Sequence, residues 1–342
     1  MDLFVGLDVS QQTTVLCVVD ADGSRIWQGH CRTEPATLAA KIQQHAPNAS
    51  RIGFESGPLS TWLWHGLNAL GLPIVCIDAR HAKAVLAMQI NKSDRNDALG
   101  LAQIVRTGWY REVKVKAFER HKVRIAIGAR VQLVRMRTDI MNQIRGLLKL
   151  RGIILPVGQK IDLELHIAGD DLLAQALQAL AKVLHSVQAV VRDLDRQTRK
   201  LTKADPDCRL LQTIPGVGPL TALTFVATVD DPTRFNRSRS VGAYLGLTPK
   251  RYQSGDTDYT GRISRCGEGL LRSYLYEAAN ALLTRVKQFS TLKAWGVRFA
   301  TRHGGKKARV AIARKLSVIM HRMLITREPF RWSALPAVAK PV

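Results

Sequence analysis

Short runs in which apolar and polar positions alternate fill the start of the chain: LFVGLDVS, then TTVLCVVD, then RIWQGHCRT after a DADG turn at Gly23. A period of two broken by turn residues predicts three strands in an antiparallel meander. A helical stretch covers Pro35 to His45. The apolar runs RIGFES and LPIVCIDA then alternate with the helical stretch TWLWHGLNALG and a long helical region from His81 to Thr107. The predicted order is β-β-β-α-β-α-β-α, a mixed sheet with helices on its faces.

That order is the one a ribonuclease H-like fold shows. Beyond it, Glu119 to Arg151 reads as one long helix rich in Arg and Lys, closed by Gly152 and Pro156. Leu173, Leu177, Leu180, Leu184, Val187, Val191 and Leu194 then recur at alternating steps of four and three, resuming at Leu201 after Thr198. This heptad seam builds either a coiled-coil hairpin or oligomerisation arm, or a bundle helix packed inside one domain. The last third opens with LLQTIPGVGPLTALTFVATV, where I-P-G-V-G before an apolar helix predicts a helix-hairpin-helix-like element aiming backbone N–H groups at a phosphate. The fold class is therefore α/β plus α. An α/β domain occupies 1–155, a coiled-coil or oligomerisation segment 156–205, a mostly helical domain 206–330 and a flexible tail 331–342.

Charge narrows the choice of partner. With 51 Lys and Arg against 27 Asp and Glu, the formal net charge is +24, a surplus that repels itself unless a polyanion compensates it. Nucleic acid is the expected partner. No run of about 18 apolar residues and no signal-peptide pattern points to a membrane, so the cytosol is the expected location. The five cysteines (Cys17, Cys31, Cys76, Cys208, Cys266) are odd in number and lack C-x-x-C spacing, which argues against a disulfide framework or a zinc site. From Phe299 to Arg327 there is no Asp or Glu, while Arg302, Lys306, Lys307, Arg309, Arg314, Lys315 and Arg322 recur. A helical surface so free of acids predicts contact with a phosphate backbone rather than a merely solvated face.

Against that basic background, a few carboxylates occupy unusual places. Asp8 lies mid-strand in VGLDVS, where an unpaired charge is costly to bury, and Glu55 ends the run IGFES just before Gly57-Pro58. If the two strands are neighbours, both carboxylates project at one sheet edge. Asp94 and Asp97 in NKSDRNDALGLAQ are three apart at a helix start, so they share a face. Ser93 or Asp94 can cap that helix, which accounts for one of the pair but not for Asp97. Four hard oxygen donors without matching His or Cys favour magnesium or manganese, a pair of which can drive phosphodiester chemistry. Asp78 in CIDARHAK reads as a loop or helix-cap residue. A strand of this type also opens sugar kinases and actin-like ATPases, but their later glycine-rich phosphate signatures are missing from this chain.

Taken together, GLDVS, FESGPLS, CIDARHAK, NKSDRNDALGLAQ, IPGVGPLTA, VGAYLGLTPKRYQSG and GRISRCGEGLLRSYLYEAAN closely resemble the DEDD transposases of the one-ten insertion-sequence family, in unbroken order from about Leu3 to about Arg322. The resemblance implies a RuvC-like N-terminal domain, a coiled coil and a C-terminal transposase domain, acting in the bacterial cytosol. It implies that Asp8, Glu55, Asp94 and Asp97 bind magnesium, and that Ser254, in the segment after L-T-P, attacks DNA to form a covalent phosphoserine link. It further implies a noncoding bridge RNA that pairs with donor and target DNA, and dimers that assemble into a tetramer.

Read from the residues alone, Ser254 lies in a polar loop, QSGDT, near Lys250, Arg251, Arg262 and Arg265, which can hold a scissile phosphate. Most serines in such loops are turn residues, and Ser264 in GRISRCG competes for the role. The resemblance selects Ser254. The chain departs from the family at Cys266 and Gly267, where relatives carry further basic residues, which leaves local DNA contacts there open. The competing classes are a metal-dependent, structure-specific nuclease of the Holliday-junction resolvase kind, cutting with metal-activated water, and a non-catalytic nucleic-acid-binding protein.

Overall fold

A computed structural model of the chain describes residues 2–88, 91–155 and 171–333. Pro156 and the chain from Ala334 onward, which include the expected helix stop and most of the expected tail, lie outside the described residues. The chain divides into two compact units, residues 1–118 and 119–342.

In the first unit, β1 (Leu3–Val9), β2 (Thr13–Val19) and β3 (Arg25–Arg32) form the antiparallel meander, and α1 (Pro35–His45), β4 (Ala49–Glu55), α2 (Ser60–Ala69) and β5 (Ile74–Ile77) alternate as the pattern predicts. The sheet runs β3-β2-β1-β4-β5, with β1, β4 and β5 parallel. Where the pattern predicts one helical region from His81 to Thr107, the chain makes two helices, α3 (Ala79–Leu86) and α4 (Asp94–Thr107). The break has a local cause. Asp78 caps α3, accepting from the Arg80 N–H, and Ser93 starts a fresh helix by accepting from the Asn96 N–H.

The strand alternation sorts side chains to two faces. Val5, Leu7, Leu16, Val18, Ile52 and Phe54 form one core with Leu38 and Ile42 of α1 and Leu63 and Leu67 of α2. The opposite face carries Phe4 and Val15, packed with Cys17 and Val19 against Ala98 and Ala102 of α4. On this face Gly6 and Gly53 are register partners on adjacent strands. A Cβ at Gly6 would stand 2.2 Å from the Ala98 carbonyl oxygen and 2.3 Å from the Ala102 nitrogen, and one at Gly53 would stand 2.1 Å from a Val105 methyl. Helix α4 thus lies directly on the backbone of β1 and β4, with its N-terminus toward the ends of those strands.

In the second unit, α5 (Phe118–Leu148) closes in a 3-10 turn over Lys149–Arg151 and the left-handed Gly152, at φ 72°. Helix α6 (Leu172–Ala204) lies antiparallel to it, as the ion pairs Arg120–Asp205, Arg130–Asp195 and Arg151–Asp171 require. Leu173, Leu177, Leu180 and Leu184 of the heptad seam pack on Ile140, Ile144 and Leu148 of α5. Further along, the buried stripe leaves the seam after Thr198: Thr202 is buried while Leu201 is 45% exposed. A straight helix of 3.6 residues per turn drifts off a 3.5 repeat, which carries Leu201 to the solvent side.

The remaining elements are α7 (Pro206–Leu211), α8 (Pro219–Val229), α9 (Arg239–Tyr244), β6 (Pro249–Ser254), β7 (Thr257–Ile263), α10 (Gly269–Thr284), α11 (Thr291–His303) and α12 (Gly305–Thr326). They surround a core that includes Phe225, Leu271, Leu275, Ile312 and Leu316. The turn between α7 and α8 brings Gly216 so near α10 that a Cβ would stand 2.6 Å from the Ala278 carbonyl. That glycine serves helix packing.

Replacing Gly6 with alanine is expected to lower unfolding stability by about 1–3 kcal/mol or more, because the added methyl meets helix backbone that cannot rotate away. Gly53→Ala meets side chains alone, those of Val105 and Ile77, rather than helix backbone, and should cost less. Denaturant unfolding of the two variants checks the order, and an equal or reversed cost would contradict the close seating of α4.

Candidate functional site

In the first unit, β1 and β4 pair in parallel up to Leu7↔Phe54, so Asp8 and Glu55 occupy the next position on neighbouring strands, on the glycine face that receives α4. Because Ser93 takes the cap, Asp94 and Asp97 remain free in the first turn of α4, where the helix N-terminus partly offsets their charge. All four sequence-predicted carboxylates therefore meet at one end of the sheet. Burial pushes the Asp8 carboxyl up to about 6, with repulsion from Asp94, Asp97 and Glu55 adding to the rise and Lys92 offsetting part of it. Burial also raises Glu55, helped by Asp97 and opposed by Lys92 and Lys83. By contrast, Asp78 caps α3 and is held below the usual carboxylate range chiefly by its hydrogen bond from the Arg80 side chain.

None of the four carboxylates has a hydrogen bond or ion pair with a described residue. Among the described residues, no group of three or more His, Cys, Asp or Glu side chains is arranged to hold a metal ion. The four groups are within electrostatic reach of one another, since Asp94, Asp97 and Glu55 all act on Asp8. Hard, unpaired, mutually repelling oxygens at one sheet edge fit a divalent cation well.

In the second unit, Ser254 ends β6 and pairs with Thr257 across the turn Gly255–Asp256. It belongs to an exposed β-hairpin rather than to the irregular loop that the polar segment QSGDT suggests. Gly255, at φ 53°, supplies the left-handed corner that a two-residue hairpin turn needs. Tyr252 stacks on Tyr259 at 5.4 Å across the strands, and the Arg251 guanidinium donates to both Asp258 oxygens. These cross-strand pairs hold a ribbon whose side chains are almost all exposed. At its base, Gly246 and Gly267 stand against the backbones of Cys266 and Tyr244, and Arg272 donates to the Leu245 and Cys266 carbonyls. Cys266 and Gly267 thus lie at a packed backbone crossing.

The basic residues separate into groups. Arg262, Arg265, Lys306, Lys307, Arg314 and Lys315, from two distant stretches of sequence, line one cleft of about 1290 Å³. Arg251 is tied to Asp258, and Arg309 donates to the Asn280 side-chain oxygen at 2.8 Å. Lys250 and Arg302 are exposed outside the cleft. The cleft also takes in Arg239, Arg331, Trp295 and Phe299, which the sequence reading passes over. The aromatic pair on α11 is visible in the sequence as a four-residue step, continued by His303.

Residues 5–151 match a transposase model of the IS110 DEDD type, and residues 208–294 match the transposase IS116/IS110/IS902 family. The chain is 30% identical over 340 residues to a transposase for insertion sequence element IS1111A of Coxiella burnetii, covering 96% of this chain and 92% of the relative. It is 31% identical over 248 residues to a putative transposase, y4pF/y4sB, of Sinorhizobium fredii, covering 70% of this chain and 64% of the relative. A pilin gene-inverting protein of Moraxella lacunata is 27% identical over 146 residues, 41% of this chain and 45% of the relative.

Between the ordinary aspartate value of 3.8 and about 6, the folded protein binds more protons at Asp8 than the unfolded chain does. Stability therefore falls as pH rises through that window, and above it the penalty is complete. In EDTA at pH 7.5, Asp8→Asn is expected to raise stability by on the order of 1 kcal/mol after allowing for solvent screening at this half-exposed site. Magnesium should raise the melting temperature of the natural protein more than that of the variant. Melting curves that show the variant less stable in EDTA would contradict the repulsive cluster.

Proposed function

We propose, on the premise that the chain belongs to the IS116/IS110/IS902 family of transposases, that it cuts and rejoins DNA through a covalent link at Ser254, with Asp8, Glu55, Asp94 and Asp97 holding magnesium or manganese. The observation that carries the reading is the meeting of four unpaired carboxylates at the ends of β1 and β4 and the start of α4. The order and pairing of the sheet support a RuvC-like, ribonuclease H-like first unit.

A divalent ion bound there supplies Lewis-acid stabilisation of charge on a phosphodiester. The chain's own groups do the rest. The Ser254 Oγ attacks a DNA phosphorus and gives up its proton as the P–O bond to one strand breaks, leaving that strand with a free hydroxyl. A hydroxyl of the incoming strand then attacks the phosphoserine, restoring a DNA phosphodiester and the serine. The number of phosphoester bonds is unchanged throughout, so no nucleotide triphosphate is consumed. The cationic side chains near the hairpin neutralise the phosphate. Likeness to a pilin gene-inverting protein supports rejoining rather than cutting alone, since inversion requires broken ends to exchange partners. In this reading a bridge RNA encoded with the element pairs with donor and target DNA, and dimers assemble into a tetramer.

Incubation with element-end DNA, magnesium and the element's noncoding RNA should yield a protein–DNA adduct that survives denaturation. Ser254→Ala is expected to abolish it, and Asp8→Asn or Asp97→Asn to reduce it by about 100-fold or more. Cleavage that persists in Ser254→Ala without an adduct would replace this reading with a nuclease that uses metal-activated water. Sequencing RNA that copurifies tests guidance, and the lack of any discrete element-derived RNA would remove it.

A further inference from the structure

The cleft bounded by α11, α12 and the base of the β6–β7 hairpin is lined by eight cationic side chains and no acidic one. Arg331 pairs with Glu328; the other seven have no carboxylate partner among the described residues. The contrast within the same unit is sharp. Arg120, Arg124, Arg130 and Arg327 are each matched to an acid. The cleft cations are left for a charge that the described residues do not supply.

The floor of the cleft has a different character. Leu247, Ile263, Leu292, Val310 and Val318 form much of it, and Trp295 and Phe299 stand among them half-buried. Their ring centroids lie 5.3 Å apart, Phe299 continues to His303 at 4.4 Å, and the Lys315 ammonium sits 4.1 Å over the Trp295 ring. At about 1290 Å³, the space exceeds the roughly 300–1,000 Å³ of a small-molecule pocket.

We infer that this cleft binds single-stranded nucleic acid, with unpaired bases on the Trp295–Phe299 floor and their phosphates on the cationic rim. The inference rests on the reading of the chain as a nucleic-acid enzyme and adds to it a preference for unpaired strands. A duplex presents phosphates and base edges but keeps its base faces stacked. It can satisfy the rim but not the floor. A single strand satisfies both, because every base has a π-face to lay on an aromatic ring. A second copy of this chain is a poor occupant, since it brings another +24 of formal charge to a rim already unpaired. One wall of the cleft is the hairpin base at Gly261, Arg262 and Ile263, so a strand held there lies beside the ribbon that carries Ser254.

The test is fluorescence anisotropy of the full chain with a labelled 12-nucleotide DNA, the RNA of the same sequence, and the corresponding duplex. Phe299→Leu, which keeps the floor apolar but removes the ring, should weaken single-strand binding about tenfold. Its salt dependence and its duplex affinity should be nearly unchanged. Lys306→Gln with Lys307→Gln, on exposed positions that leave the fold intact, should weaken single-strand binding and flatten its salt dependence by about two phosphate contacts. Comparing the DNA and RNA arms identifies which strand the cleft prefers. Equal losses for duplex and single strand in Phe299→Leu, or unchanged binding in both variants, would overturn the inference. So would a change of oligomeric state in Phe299→Leu at unaltered single-strand affinity. Failure of the serine reading is separate: a missing adduct with intact, ring-dependent strand binding removes Ser254 and leaves the cleft.

Discussion

The acidic end of the first unit depends on how closely one helix can lie on the sheet. Gly6 and Gly53 face each other across β1 and β4, and neither position has room for a methyl group beneath α4. Any side chain there would lift the helix and carry Asp94 and Asp97 away from the strand ends that bear Asp8 and Glu55. Core packing thus fixes the position of groups that repel one another. The hydrophobic contacts of Ala98, Ala102 and Val105 offset an electrostatic cost that would otherwise drive the carboxylates apart. The raised Asp8 carboxyl reflects burial first and that repulsion second.

The second unit solves the opposite problem with the opposite sign. Several of its acids are used where helices meet: Asp195 and Asp205 of α6 hold Arg130 and Arg120 of α5, and Glu268 holds Arg124. Few negative charges remain for the cleft, whose cations face one another across an apolar floor. One unit concentrates uncompensated acid and the other uncompensated base. The first calls for a cation and the second for a polyanion, and a metal-assisted reaction on nucleic acid supplies both.

Much of the first unit was legible in the sequence because its signals are local. Period-two runs, turn residues and apolar helices stand in a row, and the parallel pairing of β1 with β4 follows once the chain must cross over through α1. The gathering of the carboxylates was legible only as a condition on strand neighbours. The role of Gly6 and Gly53 was not legible, since a glycine in a strand does not announce which helix will press on it. In the second unit the heptad pattern holds through Thr198 and fails at Leu201, where straight-helix drift outweighs the repeat. The β6–β7 hairpin carries a recognised two-residue turn signal, Gly-Asp between Tyr- and Thr-containing runs, but both strands are exposed on both faces and so lack the apolar–polar alternation that marks a half-buried strand. The cleft could not be read at all: Arg262 and Lys307 are far apart in sequence and meet only through tertiary packing.

The setting of Ser254 constrains how the proposed chemistry proceeds. Its hydroxyl stands at the exposed end of a two-stranded ribbon and has no hydrogen-bond partner among the described residues. Of the two carboxylates on the ribbon, Asp258 is committed to Arg251, and Asp256 in the turn makes no hydrogen bond to the serine. A neutral hydroxyl in that setting is a weak nucleophile. The ribbon therefore presents the serine without activating it. Activation must accompany docking of the phosphodiester, when cations crowd the phosphate, water leaves and the charge developing on phosphate oxygens is stabilised. In the proposed reaction the serine of the free protein would thus stay inert until a strand is in place.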